Sequence, residues 1–165
     1  METIVLTFKY TQNEFVKAMR QYLIANGTIR KYDPAIIAVF LLFSVLSTSS
    51  IINIILLVVT TIFSAFVIYL YFCLPVLTFK QNLKYHEEYT LTFSKAEIIF
   101  KTPSIDSVLQ WSIYSEFWES DDFYFLIQTP QLYSIIPKRA FINSTDRKTF
   151  EEIVMTTIKK VKRKL

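Results

Sequence analysis

Residues 34–79 hold no Asp, Glu, Lys, Arg or His, and the block is closed by Asp33 on one side and Lys80 on the other. A helix rises about 1.5 Å per residue and a bilayer core is about 30 Å thick, so about 20 apolar residues cross it once. One straight helix over this block would overshoot that thickness. A break is written into the middle, where Ser44, Ser47, Thr48, Ser49, Ser50 and Asn53 interrupt Ile, Leu, Val and Phe. The pattern predicts a hairpin of two spans, from Pro34 to Ser47 or Thr48 and from Ile51 to Leu74. Pro34 suits a first helical turn, Asp33 before it is a candidate N-cap, and Pro75 marks a stop or kink. The competing reading is a buried helical hairpin in a soluble protein, but a soluble core helix rarely runs so long without charge.

The segment before the block is amphipathic. Ile4, Leu6 and Phe8 alternate with Val5 and Thr7, which predicts a strand. Thr11 and Glu14 have capping-box spacing, Phe15, Ala18, Met19, Tyr22 and Leu23 follow at helical spacing, and Asn26-Gly27 suits a helix end. Glu2 and the lack of a basic start argue against a signal peptide.

After Lys80 the period falls to two. Strands are predicted around Tyr89–Phe93, Ile98–Phe100, Val108–Trp111, Tyr114–Glu119, Phe123–Thr129 and Leu132–Ile136, with short turns that imply antiparallel pairing. A final helix is capped by Ser144 or Thr145. Its apolar stripe is Phe150, Ile153, Val154, Thr157, Ile158 and Val161, with Lys and Arg crowding its end. The predicted fold class is thus a membrane α-helical hairpin plus an α+β cytoplasmic domain: an antiparallel β-meander closed by a C-terminal helix, the pleckstrin-homology-like arrangement, which pattern alone does not single out from other β-rich folds. The predicted organisation is a strand and amphipathic helix over 1–33, the hairpin over 34–79, and the β-rich domain over 80–165. Trp111, Phe123 and Phe125 are the expected inward partners of the final helix.

Composition narrows the function. The chain has 165 residues, 52% hydrophobic, with one glycine and one cysteine. That excludes a disordered chain, a Gly-rich phosphate loop, an internal disulfide and a Cys-based zinc centre. Arg20, Arg30 and Lys31 precede the hairpin and Lys80 and Lys84 follow it, whereas its turn is uncharged. The positive-inside bias then predicts that both termini face the cytoplasm, with Tyr32, Tyr69 and Tyr71 at the headgroup layer. A net charge of +4 without a basic stripe argues against nucleic acid.

Candidate chemistry is sparse. His86 stands alone and lacks the partners of a metal site or a catalytic relay. Cys73 in the apolar block reads as packed or lipid-facing, with palmitoylation as the minor alternative. Glu116, Glu119, Asp121 and Asp122 read as a solvated hairpin end. No catalytic residue, metal or cofactor is expected. The remaining candidates are basic: Lys138 and Arg139 after Pro137, and Lys159, Lys160, Lys162, Arg163 and Lys164 in the C-terminal tail. The tail would meet anionic lipid headgroups or complement the dipole of its helix, with neither preferred. For Lys138 and Arg139 a structural pairing with Glu116 or Glu119 is favoured over lipid or partner contact.

Three motifs carry a resemblance: Trp111-Ser112-Ile113-Tyr114-Ser115-Glu116, Asp122-Phe123-Tyr124-Phe125-Leu126 and Ile135-Ile136-Pro137-Lys138-Arg139-Ala140-Phe141. Together with the layout they resemble the YcxB-like family of bacterial membrane proteins, whose C-terminal domain would fall at about residues 86–160. The resemblance implies location and architecture rather than chemistry. The expected function is a non-enzymatic membrane protein carrying a cytoplasmic binding or scaffold module for a protein partner. The alternative is an immunity-type protein acting against membrane-active peptides.

Overall fold

The computed structural model describes residues 3–46 and 50–163, so Lys164 and the expected turn residues Ser47, Thr48 and Ser49 lie outside the described residues. In chain order the elements are β1 (Ile4–Lys9), α1 (Gln12–Ala25), α2 (Asp33–Leu46), α3 (Ser50–Ile68), a π-helical turn (Tyr69–Cys73), α4 (Leu74–Gln81), β2 (Glu88–Phe93), β3 (Glu97–Lys101), β4 (Asp106–Gln110), β5 (Glu116–Glu119), β6 (Phe123–Thr129), β7 (Leu132–Pro137), α5 (Ser144–Thr157) and β8 (Lys160–Arg163). The chain divides into two compact units, one of residues 1–18 with 82–165, the other of residues 19–81.

The first unit is an α+β assembly of two four-stranded sheets. One runs β1-β2-β3-β4, antiparallel throughout, and the other runs β7-β6-β5-β8. The N-terminal strand is therefore not a separate piece. β1 zips onto β2 over Ile4↔Phe93 to Lys9↔Glu88, and its alternation buries Ile4, Leu6 and Phe8 while Val5 stays exposed. In β6 the five residues Phe123–Ile127 are all buried. A strand enclosed on both faces reads as a continuous apolar run rather than an alternation.

α5 packs its stripe against both sheets. Its N-cap is Asn143, whose side-chain oxygen accepts from Asp146 N–H at 2.7 Å, ahead of the expected Ser144 or Thr145. Phe150 is fully buried, with ring centroids 4.8 Å from Phe93, 5.3 Å from Tyr124, 5.3 Å from Phe141 and 6.2 Å from Phe117. These replace the expected partners. In a strand, neighbours alternate faces, so Phe123 and Phe125 lie on the side of β6 opposite Tyr124, and Trp111 packs on Phe93 while its indole N–H donates to Ser94 O at 2.8 Å.

The helix also stops sooner than expected. It ends at Thr157, and Lys160–Arg163 become β8, paired in parallel with β5. The run Thr156-Thr157-Ile158 is β-branched, and both threonine hydroxyls donate back to Ile153 O at 2.8 Å. The free edge of β5 then offers backbone partners that a further helical turn would not find. Val161 is accordingly a strand residue and not part of the helix stripe.

The second unit contains a helical hairpin in which α2 and α3 pack together. Its polarity is inside out. Val39, Phe40, Leu42, Phe43, Ile51, Ile54, Ile55, Ile62 and Phe66 are exposed, whereas Ser44 and Thr60 are buried. The two buried hydroxyls are satisfied locally, by Leu41 O and Leu56 O, each at 2.7 Å. One helix, Ser50–Gln81, is long and apolar enough to cross a membrane, judged by length and composition. At 14 residues α2 is about 21 Å long and falls short of that measure. Asp33 differs from its expected role: it is the first helical residue, and its carboxylate accepts from Arg30 N–H at 2.8 Å.

Pro75 does not stop the long helix. It has no N–H to give to the carbonyl of Tyr71 four residues back, and the chain responds with the π-helical turn just before it. Arg20 Nε donates to that Tyr71 carbonyl at 2.9 Å while its guanidinium lies over the Tyr71 and Phe72 rings.

Candidate functional site

The basic residues singled out by the sequence fall into two places in the β-unit. Lys138 and Arg139 lie in the 3-10 turn after β7. This turn, the first turns of α1 (Asn13, Glu14, Lys17) and the β5–β6 turn with the start of β6 (Asp121, Asp122, Phe123) line a cleft of about 330 Å³.

Two ion pairs are made within this cleft. Arg139 holds the Glu14 carboxylate with two bonds, Nε at 2.6 Å and a terminal nitrogen at 2.7 Å, and also donates to Lys9 O at 2.9 Å. The fork geometry is the strong form of a charge-assisted pair, and it raises the Arg139 pKa. Lys17 pairs with Asp122 at 2.6 Å. Lys138 points away to Glu119, 2.8 Å off, and lies over the Tyr124 ring. Structural pairing was the favoured expectation for both residues. Lys138 takes Glu119 as anticipated, but Arg139 takes Glu14, far away in sequence, and neither uses Glu116.

Glu119 is consequently not part of a solvated hairpin end. It meets Lys138 and, at 3.7 Å, Arg147, with its own side chain 18% exposed and that of Lys138 11%. Arg147 Nε continues to the Tyr124 hydroxyl at 2.7 Å and to Glu151 at 3.3 Å, and Tyr124 donates to Glu151. Removing Glu119 strands the Lys138 charge where little water reaches it. Glu119→Ala is therefore expected to cost about 3 kcal/mol, near the loss from breaking a buried pair. Asp121→Ala, at an exposed turn, should stay within about 0.5 kcal/mol. Urea melts of the two variants check the contrast.

The second place is β8. Lys160 and Lys162 sit opposite Glu116 and Trp118 on one face of the ladder. Lys160 Nζ bonds Glu116 at 2.6 Å, and Lys162 Nζ lies 4.7 Å from the Trp118 ring centroid. The Lys160 bond, ahead of the smaller contributions from Trp118 and Lys162, holds the Glu116 carboxyl below its usual range. Lys159 is exposed beside the strand. Arg163 contributes backbone to β8 opposite Glu119. The expectation of a basic helix end is thus replaced by a basic edge strand.

Burial governs the shifted tyrosines. Tyr10, which donates to Ile135 O, has its pKa raised well above the ordinary value by burial, then by its neighbours Tyr89 and Tyr85. Burial also raises Tyr114. A group whose folded pKa is raised gives stability that is complete below its unfolded pKa, about 10 for tyrosine, and lost as pH rises beyond it. The β-unit should therefore lose stability above about pH 10, with a slope near 1.4 kcal/mol per pH unit for each buried tyrosine. A Tyr10→Phe variant should show a shallower slope in alkaline melts, and an unchanged slope would contradict the assignment.

His86 is exposed in a 3-10 turn, and Cys73 is exposed in the π-helical turn. Among the described residues no group of three His, Cys, Asp or Glu could hold a metal ion. What the β-unit offers chemically is a cleft holding two internal ion pairs and an edge strand rich in lysine.

Residues 93–154 match the family model of YcxB-like protein, a span that begins at the end of β2, runs into α5 and contains all three motifs named above. Over that span the chain is similar to YcxB-like protein. No curated protein and no solved structure matches the chain.

Proposed function

We propose that this chain, through its YcxB-like segment, is a non-enzymatic membrane-anchored binding or scaffold module, with a bilayer hairpin inserted into a cytoplasmic domain. The observation that carries the reading is the register of β1 with β2. Lys9 and Glu88 are cross-strand partners in one sheet, which supports a reading in which the two chain ends that flank the hairpin lie on one side of the membrane. Residues 10–87 must then cross an even number of times. If the helix Ser50–Gln81 crosses once, a second crossing is required, and the apolar helix Asp33–Leu46 supplies it.

Further support comes from the outward apolar surface of the hairpin, which water would not tolerate uncovered. Its buried Ser44 and Thr60 fit the polar contacts found between spans. The short α2 arm is accommodated by local thinning of the bilayer, at fractions of a kcal/mol per Å. Arg30 and Lys31 before the hairpin and Lys80 and Lys84 after it favour a reading in which both termini face the cytoplasm and the hairpin sits in a bacterial plasma membrane. The β-unit is read as pleckstrin-homology-like, two sheets with α5 contributing Phe150 to rings of both. Its ligand is a protein partner, and no cofactor enters the reading.

Deleting residues 34–79 tests it, because β1 and β2 remain joined by a link long enough to pair. The expected product is soluble, keeps the near-ultraviolet circular dichroism of a packed β-unit, and retains any partner captured by the parent. The parent should stay in the membrane through alkaline carbonate extraction. A parent released by carbonate would overturn the anchor. A protective phenotype that needs only the spans would favour the immunity-type alternative.

A further inference from the structure

We propose that β8 is a basic strap that anionic lipid peels from the edge of β5. The inference rests on the membrane reading above and adds a second, conditional contact with the bilayer. β8 makes the one parallel pairing among the described strands and is four residues long. It lies at an edge, and its Val161 is exposed even though the facing Phe117 is fully buried. Beyond the short backbone ladder to β5, what fastens it is charge. Lys160 reaches Glu116 with 72% of its side chain still in solvent, and Lys162 reaches the face of Trp118. Pairs this exposed are weakened by water and salt.

Release leaves little stranded. The indole N–H of Trp118 donates to the second Glu116 oxygen at 2.7 Å, so the carboxylate keeps a partner when Lys160 leaves. The released segment brings Lys159, Lys160 and Lys162 to any anionic surface, and each basic residue adds to attraction there. A neutral surface offers none of this, so the strap stays closed on it. Lipid composition would thereby decide whether the β5 edge, with the backbone of Glu116–Glu119 and the Trp118 ring, is covered or open.

The test uses the full chain in two kinds of nanodisc, phosphatidylcholine alone and phosphatidylcholine mixed with phosphatidylglycerol, read by hydrogen exchange. Amides of Lys160–Lys162 should exchange roughly tenfold faster in the anionic disc, and the excess should vanish in high salt. A Lys160→Gln/Lys162→Gln variant should exchange alike in the two discs. Glu116→Gln, which loosens the clasp, should already exchange faster in the neutral disc. Equal exchange of the parent in both discs overturns the strap and leaves the hairpin standing. A chain that enters neither disc overturns the hairpin and the strap with it.

Discussion

Phe150→Ala is expected to lower the stability of the β-unit by about 3–5 kcal/mol, the usual loss when a buried aromatic is truncated and its cavity is left unfilled. The ring is fully buried and touches Phe93 of one sheet, Phe117 and Tyr124 of the other, and Phe141 of the loop before α5. Phe93, Phe117 and Tyr124 cannot close the gap without leaving their strands. A small domain holds about 5–15 kcal/mol in all, so the variant should melt far below the parent or fail to fold. Met155→Ala, on the exposed side of the same helix, should change little. Chemical melts of the full chain decide it, and equal midpoints for Phe150→Ala and the parent would mean that α5 does not close the core.

The second large effect concerns β1. A fragment of residues 82–165 keeps seven of the eight strands, yet it should not fold alone. It lacks Ile4, Leu6 and Phe8, all buried against the sheet that starts with β2. Full burial of such side chains gives about 1.5–3 kcal/mol each, so their joint loss rivals the total stability of a small domain. It also lacks Tyr10, whose hydroxyl reaches Ile135 O, and Glu14, which holds Arg139. A synthetic peptide of residues 1–18 added to the fragment should restore dispersed amide resonances. A fragment that is well folded without the peptide would show that β1 is dispensable.

These effects mark how far the sequence could be read. The period-two pattern of Ile4, Leu6 and Phe8 identified a strand and its buried face, because alternation is local. It could not name β2 as the neighbour, since pairing across the intervening hairpin is a long-range choice with no local signature. The same limit hid the Arg139–Glu14 fork. Lys138 with Glu119 was easier, because the β5–β6–β7 meander brings them close through short turns. The assignment of Phe123 and Phe125 to the α5 side followed from hydrophobicity alone. β6 is buried on both faces, so hydrophobicity carries no information there about which face is which. The C-terminal Lys-rich run was read as a helix end because cations suit that position. Its conversion to β8 depends on an acidic, open β5 edge that only the folded sheet provides.

The central claim is that a membrane hairpin is inserted between two adjacent strands of one sheet, so that both strands lie on the same side. Cysteine accessibility tests it most directly. With Cys73 replaced by Ser, single cysteines are placed by Ser49→Cys between α2 and α3 in sequence, Thr7→Cys in β1 and Lys101→Cys in β3, and intact cells are treated with a membrane-impermeant thiol reagent. The account predicts labelling of Ser49→Cys from outside, and labelling of Thr7→Cys and Lys101→Cys only after the membrane is opened. Labelling of either β-unit position from outside, or a Ser49→Cys that reacts only after lysis, would contradict it.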